Sequence, residues 1–268
     1  MARLNAPLCV LTIAGSDSGG GAGVQADQRT IRAMGGHALT AITAVTAQDT
    51  RSITAWKPVA DTLIRAQIES ALRGFSVAAV KTGLLPGPGA VRAVSGALAR
   101  FPATPLVVDP VLSSSSGTRF LSDIGIRALR MELFPIASLV TPNWEEAALF
   151  TGLQVRNHAQ AKAAAVLLAA QCGRPVLVKG GHGFGRLCRD CLALPNGSTA
   201  WFEAARIATI NTHGTGCVLS AAIASWLGRG ASLPDAVRLA QSFLQRALLR
   251  GRALEWGDGH GPAFYGAR

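Results

Sequence analysis

Short runs of apolar, largely β-branched residues recur along the chain at 8–13, 39–45, 77–80, 106–108, 138–140 and 176–178. They are continuous rather than alternating, which is the pattern of strands buried on both faces. Between and after them, apolar residues three and four apart predict helices over 24–34, 62–73, 90–99, 124–133, 145–150, 159–170, 217–227 and 234–249. Strand followed by helix, repeated, predicts an α/β fold: a three-layer α/β/α sandwich around a mostly parallel sheet. The stretch 191–201 differs, because Pro195-Asn196-Gly197-Ser198 lies between short apolar pieces and predicts a β-hairpin. No internal repeat or low-complexity linker interrupts the 268 residues, so a single domain over 1–268 is expected.

Composition refines this picture only in part. The longest uninterrupted apolar run, 163–170, is far below the roughly 20 residues of a spanning helix, so no membrane partner is expected. The apolar run at 7–14 passes directly into Gly15-Ser16-Asp17 and reads as a first strand rather than a leader. Cys9, Cys172, Cys188, Cys191 and Cys217 form no disulfide framework, which predicts free thiols and a cytoplasmic location. Cys188-x-x-Cys191 has no second ligand pair, so a zinc site is not expected. The formal charge is +11, yet the arginines are scattered and no basic run interleaves with aromatics. Nucleic acid is therefore not an expected partner; a basic chain also attracts small polyanions such as nucleotides, and the charge decides little between them.

Ligands of parallel sheets bind beyond the carboxyl ends of the strands. Here those ends read Gly15-Ser16-Asp17, Gln48-Asp49, Lys81-Thr82-Gly83, Asp109-Pro110, Thr141-Pro142-Asn143 and Lys179-Gly180-Gly181. Gly19-Gly20-Gly21-Ala22-Gly23 lacks both the lysine of a P-loop and the last glycine of a dinucleotide fingerprint. It is either a flexible turn or a loop that lets backbone approach a flat ligand. Asn211-Thr212-His213-Gly214-Thr215-Gly216-Cys217 precedes an apolar helix. Converging amides and the helix dipole there favour an anion, and a thiol in the first turn is expected to have a lowered pKa. The alternative is a plain capping turn with Cys217 as a small buried hydrophobe. Only four residues are lysine, and two of them, Lys81 and Lys179, end predicted strands. Lys179 suits a nucleotide phosphate, while Lys81 suits the substrate, a phosphate or a buried ion pair. Asn143 and Glu146 have capping-box spacing, and beside an anion pocket Glu146 would also order magnesium-bound water.

Taken together, these blocks resemble the hydroxymethylpyrimidine/phosphomethylpyrimidine kinases of the ribokinase-like superfamily over 11–262. The segment from Thr12 to Asp27 looks like the family's TIAGSDxSGGAGIQAD signature, and Thr43 to Thr50 like its TAxxAQNT. Thr141-Pro142-Asn143, Lys179-Gly180-Gly181-His182, the Thr212 to Cys217 turn and Gly257-x-Gly259-His260-Gly261-Pro262 match further blocks.

The resemblance implies ATP and Mg2+ as cofactors, a small pyrimidine alcohol as substrate, and a homodimer. It further implies that Gly15, Ala22, Asp27, Gln48 and Val111 line the pyrimidine pocket, with Gln48 bonding the aminopyrimidine edge. Cys217 would accept the hydroxymethyl proton as a thiolate, while the amides of Gly214, Thr215 and Gly216 hold the transferring phosphoryl group. Lys179, Gly181 and Thr215 would bind nucleotide, and Asn143 and Glu146 would place magnesium through water. Leu84 and Leu112 stand where relatives usually carry Met, which keeps an apolar wall. Ser115 replaces a common Lys or Thr, and the basic stretch 184–189 reads as part of a lid over ATP. A pyridoxal or pyridoxine kinase of the same fold and a non-catalytic pyrimidine sensor are the rival readings.

Overall fold

A computed structural model describes residues 7–113, 117, 119–181, 183 and 185–265. Ser115, His182 and Phe184 lie outside them. The chain runs β1 (Cys9–Asp17), α1 (Gly23–Ala33), β2 (His37–Gln48), β3 (Ile53–Pro58), α2 (Asp61–Gly74), β4 (Val77–Thr82), α3 (Pro88–Leu98) and β5 (Leu106–Val108). It continues through α4 (Asp123–Ala128), β6 (Leu139–Val140), α5 (Trp144–Thr151), α6 (His158–Cys172), β7 (Val176–Val178), β8 (Leu187–Ala193), β9 (Thr199–Ala205), α7 (Thr215–Gly228) and α8 (Leu233–Gly251).

Among the described residues the strands form a nine-stranded sheet in the order β3-β2-β1-β4-β5-β6-β7-β8-β9. The strands from β2 to β7 pair in parallel, and β3, β8 and β9 add antiparallel edges. One core, with Ile64, Val94, Phe134, Phe150 and Leu168, fills the space between the sheet and α2 to α6. A second, with Ile31, Ile223 and Val237, lies under α1, α7 and α8. The expected three layers are present. α7 is apolar on every side because its residues from Val218 to Ser225 are all buried, with α1, α8 and the sheet around them.

Three elements depart from the periodicity reading. β3 carries Thr54, Trp56 and Lys57 on a largely exposed edge, so it has no apolar run to announce it, and it ends at Pro58 where no ladder donor is needed. The hairpin is longer than 191–201 because its outer parts pair polar side chains, as in the 2.9 Å ion pair of Arg189 with Glu203. The helix expected over 124–133 changes to a π turn at Leu129–Leu133 and a 3-10 turn at Phe134–Ile136, where Pro135 ends it.

Candidate active site

Asp17, at the carboxyl end of β1, organises the glycine-rich loop that follows it. Its Oδ1 accepts from the Gly19 amide at 2.8 Å, and its Oδ2 from those of Gly21 and Ala22 at 2.9 and 2.7 Å. His213 Nε2 lies 2.9 Å from the same Oδ2. Burial alone would raise the Asp17 pKa, but the His213 contact and the Ala22 and Gly19 amides outweigh it and hold the carboxyl below its ordinary range. The loop after β1 is thereby fastened to the turn that opens α7. The contact is close enough to dictate sequence: Gly214 has φ +72°, and a β-carbon there would stand 2.0 Å from the Gly21 carbonyl oxygen.

At the start of α7 the Thr215 amide donates to the Thr212 carbonyl at 3.3 Å, and Gly214, Thr215, Gly216 and Cys217 are all partly exposed. Lys179 faces the same turn, with Nζ 3.4 Å from where a Gly216 β-carbon would be. That ammonium also donates to Asp109 Oδ1 at 2.6 Å. Asp109 is held further by Thr141 Oγ1 at 3.2 Å and Ser220 Oγ at 3.1 Å. Burial works against its charge, but Lys179 and Lys81 hold its carboxyl below the ordinary range. Asn143 and Glu146 form the complete capping box of α5, Asn143 Oδ1 accepting from the Glu146 amide at 2.9 Å and Glu146 Oε2 from the Asn143 amide at 2.7 Å. Burial lifts Glu146 to about 7, Lys179 opposes that lift and the Asp109 charge adds to it.

Two sequence expectations are corrected beneath this turn. Burial pushes the Cys217 thiol up to about 11, with Lys81 pulling it down and Asp27 and Asp109 pushing it up, so the helix terminus does not make it a thiolate at neutral pH. Asp27 does not face open space as a pocket wall. It has no exposed surface, and its carboxylate is bound by Lys81 Nζ at 2.8 and 3.0 Å and by Thr12 Oγ1 at 2.5 Å. Burial alone would lower the Lys81 pKa, but Asp27 keeps the ammonium charged. Of its three readings, Lys81 is the buried ion pair.

Gly15 abuts Leu84, which packs in one cluster with Ala44, Phe120 and the partly buried Val111 and Trp56. Ala22 closes the loop on Asp17, and the Gln48 side chain lies 3.2 Å from His213 Nε2. Gly181 is further out, its carbonyl accepting from Arg206 at 2.9 Å. Arg206 also bonds the carbonyls of Gly183 and Gly185, so it clasps this turn, and the stretch expected as a lid runs into β8 from Leu187.

A phosphomethylpyrimidine kinase family profile matches residues 17–264. The chain belongs to that family. A hydroxymethylpyrimidine/phosphomethylpyrimidine kinase of Rhizobium meliloti is 41% identical over 256 residues, covering 95% of this chain and 96% of that protein. The crystal structure of a Clostridium difficile phosphomethylpyrimidine kinase aligns with TM-score 0.77 and 35% identity over 90% of this chain and 99% of that one. An ADP complex of Bacillus subtilis pyridoxal kinase aligns with TM-score 0.89 and 30% identity over 97% and 98%.

Sequence reading passed over three side chains that build the site. Asp17 was visible only as a strand-end acid before glycines. Asp109 was placed at a strand end without a partner. Asp190, buried on β8, accepts from the Gly180 amide at 2.7 Å and from Gln241 Nε2 at 2.6 Å, and so shapes the turn after Lys179. That turn is tight, since a Gly180 β-carbon would meet the Arg189 carbonyl oxygen at 1.9 Å. One acid between Arg189 and the cysteines of β8 gave no local signal. Cys188 and Cys191 are three residues apart on β8, an odd spacing that puts them on opposite faces of the strand.

Proposed function

We propose that the chain, as a single kinase domain, transfers the γ-phosphoryl group of ATP to the hydroxymethyl oxygen of 4-amino-5-hydroxymethyl-2-methylpyrimidine, and then phosphorylates the monophosphate, in thiamine biosynthesis. The observation that carries this reading is the contact of the Gly214 to Cys217 turn with the loop after β1, which brings an anion cradle and a flat-ligand loop together. The amides of Gly214, Thr215 and Gly216 face the phosphoryl group in flight, and Lys179 neutralises the nucleotide beside them. Gly15, Val111 and Leu84 close an apolar wall on the ring, and Gln48 reads its polar edge. Cys217, a neutral thiol, holds the alcohol oxygen in line rather than ionising it. In a loose transition state the alcohol gives up its proton late, to an oxygen of the phosphoryl group it has captured and from there to water, so a prior thiolate is not required.

The oxygen-only set of Asp109 and Glu146 beside Lys179 suits Mg2+, which uses one or two carboxylates and takes its other ligands from water and nucleotide phosphates. Asn143 and Glu146 would hold that ion through water, and its chemistry would be to offset phosphate charge. The free cysteines fit a reducing cytoplasm, and no helix among the described residues is long and apolar enough to cross a membrane. A homodimer without nucleic-acid or membrane partners completes the reading.

Mass analysis of products from purified protein, ATP, magnesium and the pyrimidine alcohol tests the reading, with mono- and diphosphate expected. Pyridoxal kinase activity is the second reading, favoured by the TM-score of 0.89. The ratio of kcat/KM for the pyrimidine alcohol over pyridoxal decides between them, and a ratio below one reverses the assignment.

A further inference from the structure

The Gln48 amide touches two groups whose hydrogens are fixed by other partners. His213 Nε2 sits 2.9 Å from Asp17 Oδ2, an atom that already accepts from the Gly21 and Ala22 amides. A carboxylate oxygen saturated with donors has no proton to give, so the hydrogen lies on His213 Nε2. The Gln48 amide end 3.2 Å from that same nitrogen is placed as Nε2, which would set two donors against each other; turning the amide over puts the oxygen there, where it shares with Asp17 the single Nε2 hydrogen. The opposite end of the amide is 3.4 Å from Thr46 Oγ1. The single hydroxyl hydrogen of Thr46 goes to the nearer Ser16 carbonyl at 3.0 Å, which leaves Thr46 to accept. The amide end facing Thr46 is then the nitrogen. Two independent neighbours impose the same orientation. The backbone beneath is also fixed, since Ser18 Oγ donates to the Gln48 carbonyl at 2.8 Å and accepts from its amide at 2.7 Å.

We propose that His213 and Thr46 are positioning residues that lock the Gln48 amide in one orientation and thereby set the order of donor and acceptor that the substrate ring must match. In that orientation Gln48 has one N–H and one oxygen lone pair left for ligand. They complement a ring nitrogen that accepts and, beside it, an exocyclic amine that donates. A 4-oxo ring shows the reverse order, a ring N–H beside a carbonyl. It cannot recover by turning over, because its hydroxymethyl group must stay toward the phosphate turn. This inference rests on Gln48 facing the pyrimidine edge, and it makes the site selective between amino and oxo forms of one ring.

The test compares kcat/KM for the 4-amino alcohol and its 4-oxo analogue in wild type, His213→Leu, His213→Gln and Thr46→Val. The wild-type preference for the amino form should be roughly a hundredfold or more. It should fall about tenfold or more in His213→Leu and Thr46→Val, where the amide is free to turn, and return in His213→Gln, which supplies an N–H again. A merely structural role would depress both substrates alike. Long-range 1H–15N correlation on the wild type reads the tautomer directly and needs no variant to fold. An Nε2–H signal is expected, and an Nδ1–H signal or an unchanged preference in His213→Leu overturns the inference. Failure of wild type to bind or turn over the amino alcohol overturns the pyrimidine reading instead, while the tautomer measurement still judges the orientation of Gln48.

Discussion

Gly214 and Gly21 are packed so closely that the carbonyl oxygen of Gly21 occupies, to within 2.0 Å, the place a β-carbon of Gly214 would take. The loop that follows the first strand and the turn that opens α7 are separated by almost two hundred residues of sequence, and this contact makes them one surface.

Gly214→Ala therefore meets both a clash with backbone and a strained positive φ. It should cost about 1–3 kcal/mol in chemical denaturation and lower kcat/KM by roughly a hundredfold or more. Near-wild-type stability and turnover would show that the two loops can separate without consequence.

Cys217→Ala should reduce kcat by about tenfold or more while changing the pyrimidine Kd little, since the thiol positions the alcohol rather than holding the ring. With the thiol pKa raised to about 11, alkylation of the ligand-free enzyme should be slow at neutral pH and accelerate as pH rises toward that value. Fast labelling that levels off near neutrality would restore the thiolate.

Glu146 links pH to stability. Its folded pKa of about 7 lies above its ordinary 4.5, so between those values the folded protein keeps a proton that the unfolded chain has lost. Stability from this group is full below about 4.5 and is lost as pH rises through about 7, by an amount on the order of 3 kcal/mol. Glu146→Gln keeps a capping-box side chain but carries no charge. In the ligand-free protein its Tm should pull ahead of wild type as pH is raised across this window, and a constant Tm difference would contradict the shift.

Asp190 shapes the Lys179-Gly180-Gly181 turn through the Gly180 amide, 2.7 Å away. Asp190→Ala should raise the KM for ATP about fivefold or more with little change in the KM for the pyrimidine. Equal effects on both substrates would point to general loosening of the sheet edge.

Gln48→Leu is the complementary case, weakening the pyrimidine by about tenfold or more while leaving ATP binding nearly intact. Isothermal titration of each ligand reads the difference, and equal losses would remove Gln48 from the ring's edge.

Local sequence determined the layers of this protein, because continuous apolar runs and helical spacing depend only on which faces are buried. It also determined the turns, since Gly180 and Gly214 stand where no side chain fits, and the Asn143 to Glu146 cap, whose partners are three residues apart. Tertiary structure alone decided the charges. Asp27 and Lys81 come from different strand–helix units, and only folding buries them as a pair rather than leaving Asp27 at a pocket wall. Cys217 has the sequence setting of an activated thiol, yet desolvation beside Asp27 and Asp109 outweighs the helix terminus. The Asp17–His213–Gln48 chain joins three distant segments. Burial and through-space charge are properties of the assembled interior, and a pattern of neighbours along the chain does not contain them.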